Sequence, residues 1–262
     1  MTLQHGRCML PAMSARSWPR LCSIAFALAG VACNSGTETG NPSLTGSLSY
    51  TGYSSKPSDY GVREAGDIAT IESAWLDLDT VSISPDGPCG IDGGSAFTAA
   101  GLGVGDHAAG DHNFTSFAAA AGAFCSVDLP FLRVPASVKL AGLPAEARGQ
   151  SLLIVGTLAE GTPFSIVSAA TPVVQLRADG SGFELSADQS DLLLAFDFAA
   201  WLQGLDFDAA LRVDGQIEIS ASSNSELLTT FETNLADGVA LYRDRDGDGL
   251  VDADAELLAH AP

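Results

Sequence analysis

The sequence predicts a mainly β protein: an antiparallel β-sandwich followed by a C-terminal amphipathic helix and an acidic loop. Three observations carry this. Residues 44–51 alternate without exception, with Leu44, Gly46, Leu48 and Tyr50 on one face and Thr45, Ser47, Ser49 and Thr51 on the other. From Phe124 to Ser220 short apolar segments recur at even spacing, with turn residues between them and no long helical pattern. After Ser223 the period becomes helical: Leu228, Phe231, Leu235, Val239 and Tyr242 fall on one stripe.

Residues 1–33 read as a leader. Arg7, Arg16 and Arg20 precede the uncharged run 21–33, which is too short to span a bilayer and ends in small residues. Ala29-Gly30-Val31-Ala32-Cys33 resembles the bacterial lipobox, with Gly30 where that motif usually has Leu. The resemblance implies that Cys33 is lipidated and becomes the new N-terminus; a plain cleaved secretory signal is the other reading. Residues 34–43 are polar and free of large apolar side chains, as suits a flexible tether. Within it, Thr37-Glu38-Thr39-Gly40-Asn41-Pro42 resembles the start of a group of uncharacterised Gram-negative outer-membrane lipoproteins. That resemblance implies a β-sandwich-like domain, several members ending similarly in a helix and an acidic loop. Asn34 stands where an Asp would imply inner-membrane retention, so the expected location is the outer membrane, on its periplasmic or surface face.

Removal of 33 residues from 262 leaves 229, enough for one large β domain with an appendage. All three basic residues of the leader go with it, leaving 9 Lys+Arg against 32 Asp+Glu and a net charge of −23. Such a surface repels nucleic acid and favours divalent cations. Cys8 and Cys22 leave with the leader and Cys33 takes lipid. Cys89 and Cys125 remain as an even pair, read as a disulfide in an oxidising compartment or, alternatively, as two buried thiols.

The sandwich is expected over residues 44–222. After a loop at 54–66, residues 71–84 form a long strand. Ala74, Leu76 and Leu78 share one face while Val81 and Ile83 take the other, so the phase flips near Asp79-Thr80 and predicts a bulge. Residues 90–124 read as a long decorated loop, because 14 of the 25 residues 99–123 are Gly or Ala. The Cys89–Cys125 bridge would close it at its base. Strands follow at 124–133, 136–141 and 151–159, the last apolar on both faces and therefore central. The Glu160-Gly161 turn leads to a strand at 162–168. Strands 172–177 and 183–186 read as a pair, and strand 191–197 precedes a helical turn at 198–204 that docks Trp201. Strand 211–220 is the last. Residues 223–262 then hold a helix at 224–242, with Ser223 and Glu226 in a capping-box pattern, and the acidic loop.

That loop is the chemically loudest stretch. Asp244, Asp246 and Asp248, then Gly249, Leu250, Val251 and Asp252, resemble the calcium loop of EF-hand, dockerin and thrombospondin-type repeats. The resemblance implies a Ca2+ ion held by Asp244, Asp246, Asp248, Asp252 and the Leu250 carbonyl in a helix–loop–helix setting. The twelfth position is Ala255 rather than an acid, so Glu256 or water would complete the shell. Three weaker candidates accompany it. Trp75, with Asp77 and Asp79 on its face, is either a ligand platform or a side chain packed under another layer. Asp106-His107 and Asp111-His112 offer zinc-type donors. Acidic pairs could serve a glycosidase. No nucleophile-elbow, zinc-protease or P-loop motif is present, and only His107, His112 and His260 follow the leader. The expectation is a non-enzymatic, calcium-binding envelope lipoprotein, held to the membrane by its lipid, with a structural or ligand-binding role and an unidentified protein or glycan partner. The alternatives are a secreted carbohydrate-binding module and an acid-dependent hydrolase.

Overall fold

The computed structural model describes residues 43–53, 64–65, 68–87, 89, 95–108, 114–252 and 254–262. Residues 1–42, with the expected leader, Cys33 and all but the last residue of the expected tether, lie outside them. The chain is mainly β, its sheets forming a sandwich or near-barrel. In chain order the strands are β1 (Ser43–Tyr53), β2 (Glu64–Ala65), β3 (Ala69–Ser84), β4 (Phe97–Asp106), β5 (Phe114–Ala120), β6 (Gly122–Phe124), β7 (Ser126–Pro130), β8 (Leu152–Leu158), β9 (Pro163–Ser168), β10 (Val173–Arg177), β11 (Phe183–Leu185) and β12 (Asp191–Asp197). Helix α1 (Phe198–Trp201) precedes β13 (Arg212–Val213) and β14 (Gln216–Ile219). Helix α2 (Ser225–Asn234) precedes β15 (Val239–Arg243) and β16 (Glu256–His260).

Strand β3 is the hub. One edge pairs β8 along its first half and β7 at its end, and the other edge pairs β2 and β4. Two register shifts, at Ile71/Ser73 and at Leu78/Thr80, rotate it so that Ile71, Ala74, Leu76, Leu78, Val81 and Ile83 all reach the main core. The second shift is the bulge that the phase flip at Asp79-Thr80 predicts. From β7 the sheet continues through β10, β16, β15, β12 and β1 to β5. The Thr115 hydroxyl of β5 donates to the Ala100 carbonyl of β4, bringing the far edge back toward the hub. Leu44, Leu48 and Tyr50 of β1 are buried, as the alternation requires. β8 is central, between β3 and β9, and the β8–β9 hairpin forms as expected. The pairing is not purely antiparallel, since β1–β12 and β9–β14 run parallel.

The structure corrects several boundaries. Much of 90–124 is sheet, not loop: β4 pairs β3, and β5 pairs β1. Ladder hydrogen bonds belong to the backbone, so small side chains do not forbid them. A small residue is also needed on the partner strand: a side chain at Gly46 of β1 would collide with the ring of Phe117, its register partner in β5. Residues 136–141 are turn, not strand. Strand 211–220 is broken by a turn at Asp214-Gly215, both at positive φ, into the β13–β14 hairpin. The expected 172–177/183–186 hairpin does not form. Instead β10 pairs β7 while β11 pairs β6 in a separate ribbon. Cys125 occupies the break between β6 and β7. It is disulfide-bonded to Cys89 across a Cα–Cα distance of 5.7 Å, and so pins the segment leaving β3 to this corner.

The largest revision is at 224–242. Helix α2 ends at Asn234, and Val239–Arg243 is strand β15, paired with β12. Leu228, Phe231 and Leu235 are buried as the helical stripe predicts, but Val239 reaches the same core from a strand. The capping box is not used. Asn224 is the N-cap, in a left-handed conformation, and its amide group bonds the Leu211 and Glu218 backbone instead. The helical turn expected at 198–204 forms as α1 and the turn that follows it, and the Asp197 carboxylate, not foreseen as a cap, accepts the Ala199 and Ala200 N–H groups at 2.9 and 3.2 Å. Trp201 is fully buried among Phe196, Phe198 and Phe231, its indole N–H donating to the Leu235 carbonyl at 3.0 Å.

Gly238 therefore has a different role from the mild helix weakness its sequence position suggests. It lies in the turn from α2 to β15, and a Cβ there would overlap the Trp201 indole and meet the Asp197 carbonyl. Gly238→Ala is expected to destabilise the fold by about 1–3 kcal/mol, the usual cost of overpacking. Denaturant unfolding followed by Trp fluorescence checks this, and an unchanged midpoint would contradict the close packing.

Candidate functional site

The acidic loop connects β15 to β16, so its setting is a β-hairpin and not the expected helix–loop–helix. Arg243 and Glu256 are paired across the ladder at its base. Asp244, 6% exposed, is anchored by its own N–H to the Asp191 carbonyl at 3.1 Å. Its two carboxylate oxygens accept the Gly247 and Gly249 N–H groups at 2.8 and 3.0 Å. Both glycines have positive φ, 75° and 72°, which lets the chain fold back onto Asp244. Asp248 accepts the Leu250 N–H at 2.8 Å, and Asp252 accepts those of Asp254 and Ala255 at 2.8 and 3.1 Å. These are Asx-type turns that hold each carboxylate against the backbone.

The result is a concentration of oxygens. Asp244, Asp246 and Asp248 each present one within 4.8 Å of the others, and so do Asp246, Asp252 and Asp254. Asp246 belongs to both triads. Two carboxylates at such a separation repel by about 1–3 kcal/mol at surface dielectrics. Burial pushes the Asp244 carboxyl above the usual range, against the downward pull of the Gly249 and Gly247 N–H groups, and the Asp246 carboxylate adds to the rise. The donors are all hard oxygens, the set that calcium takes.

Glu256, expected to complete a metal shell, begins β16, where its Oε2 meets Arg245 at 2.9 Å and Arg243 at 3.1 Å. The hydrogen bond from Arg245 is the main reason its carboxyl lies below the usual range. Arg243 is 5% exposed and also donates to the Gln189 and Glu184 carbonyls at 2.7 and 2.8 Å, so its buried guanidinium is well partnered. Leu250 and Val251 are half-buried after the second glycine. Sequence spacing alone gave no sign of this arginine pair or of Asp254 as a donor.

The other candidates fare differently. Trp75 is 8% exposed and packs with Val134, Leu143, Ala147 and Leu153, so the covered reading holds and the platform reading does not. Its cover is the 131–150 flap, closed at its base by Val134–Gln150 and Gly149–Val134 hydrogen bonds of 2.8 Å. Asp77 is 7% exposed beside that flap, and the Asp79 side chain lies outside the described residues. The zinc set is not assembled within the described residues. Asp106 accepts the Ala74 and Ala108 N–H groups, while Asp111 and His112 are not among them. His107 is buried against the Tyr50 and Phe196 rings, and neither its Nε2 nor the Tyr50 hydroxyl has a hydrogen-bond partner among the described residues.

Burial lowers the His107 pKa from 6.5 to about 4. The imidazole is therefore neutral in the fold, while the unfolded chain takes up a proton below pH 6.5. Stability attributable to this site is intact above pH 6.5 and falls as the pH drops toward 4, by roughly 3 kcal/mol in all. His107→Phe is expected to flatten the loss of stability between pH 6.5 and 4.5, measured by denaturant titration at each pH. An identical pH profile in the variant would refute this account.

Among the described residues no helix is long and apolar enough to cross a membrane. No protein-family model matches the chain, and no curated protein or solved structure matches it either.

Proposed function

We propose that this protein is a non-enzymatic, calcium-binding lipoprotein of the cell envelope. Its β module would be tethered through lipid on Cys33, and a cation would stiffen it at the β15–β16 connection. The observation that carries the reading is the meeting of Asp244, Asp246 and Asp248 within 4.8 Å, at the one-residue spacing of a calcium loop. A dication there offsets the mutual repulsion of these carboxylates and joins the two triads through Asp246. It would also brace the last hairpin, whose strands lie between β12 and β10 in the main sheet. Asp252 and Asp254 fit as further donors. With Glu256 engaged by two arginines, water completes the shell in this reading, and affinity falls in the extracellular range of about 10⁻⁴ to 10⁻³ M. Magnesium is a poorer fit, because it demands tight octahedral geometry and gives up its waters reluctantly.

The test is calorimetric titration of Ca2+ and Mg2+ into the full chain and into Asp246→Asn, which removes the charge shared by both triads without changing side-chain shape. Calcium at ten times its Kd is expected to stabilise the wild type by about 1.4 kcal/mol, seen as a raised Tm, and to act much less on the variant. Equal heats and equal shifts in both proteins would leave the loop a solvated acidic turn. For the anchor, metabolic labelling with a clickable fatty acid is expected to mark the wild type and not Cys33→Ala. An unlabelled wild type would refute lipidation.

A further inference from the structure

We propose that the groove between β3, β4 and the 131–150 flap binds a single-chain anionic amphiphile, with its apolar body against Val104, Leu132, Val138 and Leu140 and its head between Arg133 and Lys139. The groove has a volume of about 550 Å³ and is lined by these residues together with Asp77, Gly103 and Pro135. That size lies in the range of small-molecule sites, which join an apolar lining to a few placed polar groups. Leu132 and Leu140 stand 36% and 41% exposed at its rim.

Charge selects the ligand. The chain carries 32 acidic against 12 basic residues, yet segment 131–150 holds Arg133, Lys139 and Arg148 against the single acid Glu146. None of these three cations forms an ion pair among the described residues, nor does Arg177, whereas Arg212, Arg243 and Arg245 do. Arg133, which also lines the neighbouring cleft at Ala169, donates Nε to the Ala169 carbonyl at 2.8 Å, and its two Nη groups make no hydrogen bond among the described residues. Arg133 and Lys139 are exposed while Asp77, 7% exposed, lies deeper in the lining, so the head belongs at the exposed cationic rim and the chain below it. A concave groove in an otherwise acidic surface favours one monomeric amphiphile over an anionic bilayer. The inference is independent of the calcium and lipid-anchor readings.

Trp75 supplies the readout. It belongs to the buried cluster against which Val104 and Val138 of the groove pack, whereas Trp201 is fully enclosed in the main core. The probes are an ω-brominated medium-chain fatty acid and the corresponding alcohol, titrated below micelle formation into the full chain carrying Trp18→Phe and Cys33→Ala, which keeps only Trp75 and Trp201 and cannot carry the N-terminal lipid. The acid is expected to quench Trp75 saturably. In Arg133→Gln/Lys139→Gln its affinity should fall about tenfold, as loss of two partly exposed charge contacts implies, while the alcohol binds both proteins alike. The same chain should sediment with vesicles of anionic phospholipid no more than its Arg133→Gln/Lys139→Gln variant does. Absence of saturable quenching, or equal affinity of the acid for both proteins, overturns the proposal. So does vesicle binding that is lost in the double variant but that the free acid does not compete away, which would make the flap a membrane-facing surface instead.

Discussion

Sixteen residues of β3 must satisfy backbone hydrogen bonds along both edges while one face stays in the core, and a straight strand does not do this here. Its two register shifts turn the inward face twice, so that β8 and β7 follow one another along one edge and β2 and β4 along the other. With the strand rotated in this way, the sheet curls as it runs through β10, β16, β15 and β12 to β1 and β5. The outward face at Trp75 is left apolar and must be covered, and the 131–150 flap covers it. The groove beside Asp77 lies where that cover meets β4.

The acidic hairpin sits at a different balance point. Arg243 is buried at its base and is held by Glu256 and two carbonyls, an arrangement in which a desolvated cation is fully partnered. Immediately beyond it the chain places Asp244 in a nearly buried position, with Asp246 and Asp248 close by. Positive charge thus lies on the strand side of the hairpin, where Arg245 too faces Glu256, and among the described residues no ion pair joins a cation to the triads on the loop side. Glycines at positive φ turn three N–H groups' worth of backbone, from Gly247, Gly249 and Leu250, onto the carboxylates. These bonds hold the oxygens together but do not neutralise them.

Much was legible in the amino-acid sequence because it rests on local chemistry. Alternation in 44–51 defines a strand that buries Leu44, Leu48 and Tyr50 in any register that covers one face. The phase flip at Asp79-Thr80 marks a bulge whatever the partner strand, and an even pair of cysteines points to a bridge. The aspartate spacing in 244–252 brings oxygens together through turns that need only the adjacent glycines.

What only the tertiary structure decided concerns pairing. Gly and Ala in 97–123 offer no side-chain signal, yet their backbone groups complete ladders with β3 and β1, a gain set by the neighbour and not by the residue. Val239 sits four residues after Leu235 and so satisfies a helical period, but β12 presents an open edge, and pairing there wins over one more turn of helix. The same event converts the setting of the acidic loop from helices to strands and turns Glu256 toward two arginines. Long-range hydrogen bonding and burial compete with local periodicity at these sites, and neither has a signature within a short window of sequence.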